Sequence, residues 1–238
     1  MILIRNSKYL DLIATFGVGG AHPGGFELTK ELFINQNINR NTSILDVGCG
    51  TGQTVAYLAK KYRANITGID VNSTMVEKAK ARIKQDQLSI DILHCSIEKI
   101  PLPDHQFDLI LSESVLSFVN KPTALSEIFR LLKHDGQLIA NELTVNQALS
   151  PALQAELTEF YGFNSIPAEK DWVNDFRQAG FKTIHIRKPQ LIKPYDSIPE
   201  FNISTNIKPK INEIMDQHYQ MTLKYQDIWD YNIFICMK

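Results

Sequence analysis

Between residues 44 and 52 the chain reads Ile44-Leu45-Asp46-Val47-Gly48-Cys49-Gly50-Thr51-Gly52. An apolar run carries a carboxylate near its end, and three alternate glycines then turn the chain. Glycine admits positive φ and lets a ligand reach the backbone with no Cβ in the way. In the dinucleotide fingerprint G-x-G-x-x-G a pyrophosphate rests on a helix N-terminus. Here the spacing is G-x-G-x-G, and Asp46 stands two residues before the first glycine. A carboxylate there repels a pyrophosphate and attracts an ammonium. Eighteen residues beyond Gly52, Asp70 closes the next apolar run, a place from which an acid takes both hydroxyls of a ribose. The two acids together point to a ligand with adenosine at one end and an amino acid at the other.

Two further residues could act on a second substrate. Glu113, in Ser112-Glu113-Ser114, could orient an amino group, accept a proton, or only satisfy backbone donors at a strand end. His22, in Ala21-His22-Pro23-Gly24-Gly25, could position an acceptor or take its proton, since an imidazole titrates near pH ~6.5; it could also be a plain hinge residue. Gly17, Gly19, Gly20, Gly24 and Gly25 surround it. No strand precedes them, so the run reads as a flap over the ligand and not as a phosphate loop. Asn141 and Glu142 do not complete an oxygen-ligand set with Ser112 and Glu113, and Cys49, Cys95 and Cys236 have no zinc-ligand spacing. No metal is expected, and Cys49 and Cys95 read as small packing residues.

These residues need elements to bring them together. Ser43 to Val47 reads as a buried strand, and Thr54 to Tyr62 places Val55, Leu58, Ala59 and Tyr62 on one helical stripe. Asn65 to Asp70 is a second strand. Thr74-Met75-Val76-Glu77 has the form of a capping box, opening a helix that carries Met75, Ala79 and Ile83 on one face. Ile90 to His94 and Phe107 to Leu111 are the third and fourth strands. Pro122 suits the first turn of a helix that Asp135-Gly136 ends, ahead of a fifth strand from Gln137 to Glu142. Lys182 to Arg187 and Asn232 to Met237 make a closing pair. Strand–helix alternation of this kind predicts an α/β fold, Rossmann-like, with seven mostly parallel strands, helices on both faces and an antiparallel last strand.

The chain reads as one domain. Residues 1–42 hold N-terminal helices and the flap, 43–145 the ligand-binding core, 146–231 the cap elements with the sixth strand, and 232–238 the last strand. Prolines 189, 194, 199 and 209 mark a loop within the cap. Phe160, Tyr161, Phe163, Trp172, Tyr195, Tyr219, Tyr225 and Trp229 crowd these later segments, as an acceptor pocket or as the core of the cap. The flap and the helix from Ile211 to Tyr225 are expected to close over an acceptor from opposite sides.

Ile44–Gly52, Gly68-Ile69-Asp70 and Phe107–Val119 resemble the motifs of class I S-adenosylmethionine-dependent methyltransferases. Over roughly residues 20–145 the chain is most similar to the small-molecule branch related to the ubiquinone and menaquinone biosynthesis enzymes, methyltransferase type 11. The resemblance implies S-adenosylmethionine as cofactor and a small-molecule methyl acceptor. It implies that Asp46, Gly48, Cys49, Gly50, Thr51 and Gly52 hold the methionyl part, that Asp70 binds the ribose, and that Val71 lies against the adenine. Ser96 and Ile97 take the adenine edge, where the family commonly has Asp first, and Glu113 faces the sulfonium end. Leu116-Ser117-Phe118 stand where many relatives have histidine, and Leu132-Lys133-His134-Asp135-Gly136 replaces the usual Lys-Pro-Gly-Gly turn.

Composition limits the alternatives. Twenty-five basic and 26 acidic side chains leave a net charge of -1, so no bulk charge favours nucleic acid or an anionic membrane. No apolar run approaches the ~18 residues of a spanning helix, and Met1 to Ile4 is too short for a signal-peptide core. Three scattered cysteines fit a reducing, cytoplasmic setting. Two other functions share parts of the pattern: an NAD-dependent Rossmann oxidoreductase, disfavoured by Asp46 and the glycine spacing, and a protein that binds S-adenosylmethionine without turning it over.

Overall fold

A computed structural model describes residues 7–188, 199–205 and 211–238. The expected proline loop at 189–209 and Tyr195 fall largely outside these, as does Met1 to Ile4. The described chain runs α1 (Lys8–Phe16), α2 (Gly25–Ile34), β1 (Ser43–Val47), α3 (Gln53–Tyr62), β2 (Asn65–Asp70), α4 (Ser73–Gln85), β3 (Asp91–His94), β4 (Phe107–Glu113), α5 (Lys121–Leu131), β5 (Leu132–Val145), α6 (Pro151–Tyr161), α7 (Glu169–Gln178), β6 (Thr183–Arg187), α8 (Ile211–Tyr225) and β7 (Trp229–Met237). A short 3-10 turn, Leu116–Phe118, follows β4. The seven strands form one sheet in the order β3-β2-β1-β4-β5-β7-β6. β1 to β5 pair in parallel, and β7 runs antiparallel to both β5 and β6. The expected architecture stands.

Its two faces are covered because strand and helix periods agree. One face buries Leu45, Ile110, Leu138 and Phe234 against α5 and α7, including Ile128, Trp172 and Phe176. The other buries Ile44, Leu111 and Ile139 against α2, α3 and α4. Each fully buried Leu, Ile or Phe contributes roughly 1.5–3 kcal/mol. A third, aromatic cluster joins Phe160, Tyr161, Phe163 and Tyr225, with Tyr9 and Trp229 packed on it. Tyr219 is exposed.

Several local expectations shift. α4 is capped two residues earlier than the capping box implied, because Asn72 Oδ1 accepts from the Thr74 and Met75 amides at 3.0 and 3.2 Å. α5 ends at Leu131, and Asp135-Gly136 lies inside β5 instead of ending the helix. Leu132, fully buried, already pairs with Phe107, and a register irregularity between Phe107 and Leu109 absorbs the early start. α8, expected as the wall opposite the flap, gives no residue to the lining of the cavity described below. It packs on α1, where the Tyr9 and His218 rings lie 5.0 Å apart, and on α6 through Lys224 and Glu156 at 3.0 Å. The strip from Glu200 to Ser204 lies along the flap and the end of α1: Gly19 donates to Glu200 O at 2.8 Å and Ser204 donates to Thr15 O at 2.8 Å.

Candidate functional site

A cavity of about 590 Å³ opens at the carboxyl ends of β1, β2 and β4. That is where the strand order reverses between β1 and β4, the position at which open α/β sheets take ligands. The flap and α1 roof it.

The glycine turn forms its floor. Gly48, Gly50 and Gly52 have φ of 72°, 54° and 76°, values that L side chains rarely adopt. The Gly48 and Cys49 amides donate to Ile69 O at 2.8 and 2.9 Å, pinning the turn to β2. A Cβ on Gly48 would stand 2.5 Å from Val115 Cγ2, whereas one on Gly50 would meet no protein atom within 4 Å. Gly48 is therefore required by packing, and Gly50 faces open space. Gly52 does not line the cavity: it begins α3 and packs on Ala79. The other expected residues, Asp46, Cys49, Thr51, Asp70, Val71, Ser96, Ile97 and Glu113, do line it.

Four carboxylates line the cavity: Glu98 is held by the Asn120 amide at 2.8 Å, and Asp46, Asp70 and Glu113 lie close enough to act on one another. Asp46 is 2% exposed, and its Oδ2 has no hydrogen-bond partner. Burial first, then the nearby Glu113 and Asp70, push its carboxyl well above the usual range. Asp70 Oδ2 accepts from Gly50 N at 2.9 Å and its Oδ1 from Asn72 N at 2.8 Å. Burial raises Asp70, and those backbone donors partly offset it. Each Asp70 oxygen keeps a lone pair for a hydroxyl. Buried like charges repel, and a cation between them relieves the repulsion. A ligand with a sulfonium and an ammonium fits this donor set, and a pyrophosphate does not.

Glu113 ends a chain of polar contacts that begins on β5. Asn141 Nδ2 donates to Pro23 O at 2.8 Å, which fixes the amide's orientation, and lies 3.3 Å from His22 Nδ1. The same Nδ1 lies 3.2 Å from Pro23 O. His22 Nε2 lies 3.3 Å from Thr29 Oγ1 and 3.5 Å from Glu113 Oε2, while the Thr29 hydroxyl donates to Glu113 Oε1 at 2.8 Å. Both His22 and Glu113 side chains are nearly buried, at 6% and 7% exposure. Thr29 thus meets one oxygen of Glu113, and the His22 ring and the Thr54 hydroxyl, at 3.5 Å, meet the other. Sequence reading missed Thr29 and Asn141; Thr29 lies one helical turn into α2, downstream of the flap, and only tertiary packing brings Asn141 to it.

Ser96 and Cys49 stand elsewhere in the wall. Ser96 Oγ accepts from Glu98 N at 3.1 Å, so the hydroxyl braces its own turn and retains its proton for a ligand. Cys49 packs its sulfur toward Gly68, and burial pushes its thiol up. Away from the acids, Tyr9, Leu10, Ile13, Phe118 and Val119 give the cavity an apolar end.

Residues 45–140 match the model of a methyltransferase domain. The chain is 35% identical to an uncharacterised methyltransferase, YodH, of Bacillus subtilis, over 98% of this chain and 100% of that protein. It is 32% identical to the O-methyltransferase cnsE of Penicillium expansum, over 68% of this chain and 60% of that one. Among solved structures it resembles phosphoethanolamine N-methyltransferase 2 of Haemonchus contortus in complex with S-adenosyl-L-methionine, with a TM-score of 0.73 and 16% identity. That likeness covers 97% of this chain and 56% of the other, so this chain spans about half the length of that protein. No helix among the described residues is long and apolar enough to cross a membrane.

Proposed function

The chain belongs to the class I S-adenosylmethionine-dependent methyltransferases of small molecules, and from that premise we propose how its own residues carry out the transfer. Asp46 takes the ammonium of the cofactor; its unpartnered, buried Oδ2 is the observation that carries this reading. Asp70 accepts from the ribose hydroxyls while holding Gly50 in place. Val71, Ser96 and Ile97 bound the adenine, and Gly48, Cys49, Gly50 and Thr51 supply the close backbone surface. When bound, the cofactor supplies a methyl group activated on a sulfonium and transferred by direct in-line displacement. The protein's part is to fix approach, exclude water and receive a proton. Glu113, oriented by Thr29 and His22, receives the proton of the acceptor. The small-molecule acceptor occupies the apolar end beneath α1 and the flap. We place the activity in the cytoplasm, with neither nucleic acid nor membrane as partner.

Titration calorimetry with S-adenosylhomocysteine and with NADH tests the cofactor assignment. Binding of the first and not the second is the expected result; the reverse would end it. Incubation with S-adenosylmethionine and a metabolite extract, read for products heavier by one methylene, identifies the acceptor.

A further inference from the structure

Glu142 is fully buried in β5, outside the cavity, yet it holds part of the cavity's wall. Its Oε1 accepts from Ser112 Oγ at 3.0 Å, from Val115 N at 3.2 Å and from Leu116 N at 3.1 Å. The last two amides lie just beyond β4, where the chain has left the ladder. Ser114 stands there at φ 61°, unusual for a residue with a side chain. Without the carboxylate, the buried Leu116 amide and the half-buried Val115 amide would lose this acceptor. The turn carries Val115 and Phe118, which line the cavity, and Val115 presses on Gly48 of the glycine turn.

We propose that Glu142 is a positioning residue: its carboxylate oxygen fixes the turn from Val115 to Phe118, and through Val115 the glycine turn that receives the cofactor. What matters is the reach of an acceptor oxygen to two amides, and the negative charge is secondary. The neighbouring Asn141 orients the flap from the opposite face of the same strand, so β5 sets both walls of the acceptor end. The proposal rests on the reading of this cavity as the cofactor site, which wild-type binding of S-adenosylhomocysteine tests separately.

Two variants divide reach from charge. Glu142→Gln keeps an acceptor oxygen at the same distance without charge. Glu142→Asp keeps the charge and withdraws the oxygens by one methylene. Amide hydrogen exchange at Val115 and Leu116 and affinity for S-adenosylhomocysteine are the readouts. In Glu142→Gln both should stay within about threefold of wild type. In Glu142→Asp both amides should exchange faster, and affinity should fall about tenfold. Wild-type protection at Asp, or its loss at Gln, would overturn the proposal. Should Glu142→Asp fail to fold, the wild type still decides: Val115 and Leu116 must exchange as slowly as the amides inside β4, and rapid exchange there would refute the role.

Discussion

At the scale of single residues, Glu113 and Asp46 divide one task, and a neutral isostere separates them. If Glu113 accepts the acceptor's proton, Glu113→Gln should bind S-adenosylhomocysteine within a few-fold of wild type and lose roughly a hundredfold or more in turnover, the usual scale for a missing general base. Asp46→Asn should instead weaken cofactor binding by about tenfold or more, since a charge-assisted contact to an ammonium is lost. Binding lost in Glu113→Gln and kept in Asp46→Asn would exchange the two roles. Asp70 has, beside the ribose role proposed for it, a structural one that the sequence alone does not reveal. From the sequence, Asp70→Ala reads as a loss of ribose contacts with little effect on folding. In the structure the same carboxylate also accepts from Gly50 and Asn72. Asp70→Ala is therefore expected to lower affinity by about a hundredfold and also to destabilise the fold by about 1–3 kcal/mol, through buried donors left unmatched. Calorimetry paired with urea denaturation checks both halves, and an unchanged denaturation midpoint would remove the structural one.

At the scale of elements, the flap is fastened to the glycine turn by a small clasp. Glu200 accepts from Gly19 with its carbonyl, and its carboxylate meets Gln53 Nε2 at 3.0 Å and the Arg82 guanidinium. Arg82 in turn donates from Nε to Thr51 O at 2.9 Å. Partly exposed ion pairs of this kind contribute at most ~1 kcal/mol, so the clasp tunes local opening and leaves global stability nearly untouched. Glu200→Ala should speed exchange at the Gly19 amide in the free protein, with S-adenosylhomocysteine restoring protection across residues 17–25. If Gly19 exchanges as in wild type, strip and flap are not coupled. The alternation of strands and helices was legible in the sequence because its signals are local: an apolar run, a glycine turn, an amphipathic stripe. The same holds for Asp46 and Asp70, which sit at strand ends next to the turns they serve. Thr29, Asn141 and Glu142 were not legible. Their partners lie 84, 119 and 26 to 30 residues away, and nothing in the residue types distinguishes them from surface polar groups. The early start of β5 escaped for a related reason: Asp-Gly signals a turn, but pairing of the buried Leu132 with Phe107 overrides it.

At the scale of the whole molecule, the site's acids set how stability depends on pH. Burial, partly offset by its hydrogen bonds to Leu116, Ser112 and Val115, pushes the Glu142 carboxyl up to about 7 from 4.5. The folded state therefore holds this proton more tightly than the unfolded chain does. Its contribution to stability is complete below about pH 4.5 and is lost as pH rises through about 7, a span worth roughly 3 kcal/mol. Asp46 and Asp70 act in the same direction, both raised by burial. His218 opposes them, because burial lowers its imidazole and favours the fold at higher pH. Asp108 and Glu127 act elsewhere: Lys133 and Arg130 hold both carboxyls below their ordinary values, so their support fails only in acid. A single pH profile of the wild type would mix all of these. Glu142→Gln isolates one, since it removes this titration and leaves the rest. Relative to that variant, wild type should lose on the order of 2–3 kcal/mol of unfolding free energy between pH 5 and pH 8, read from urea denaturation at both. A parallel pair of profiles would mean that Glu142 stays ionised throughout, its charge balanced by the Ser112 hydroxyl and the two amides. A wild type that gains on the variant as pH rises would reverse the sign of the argument.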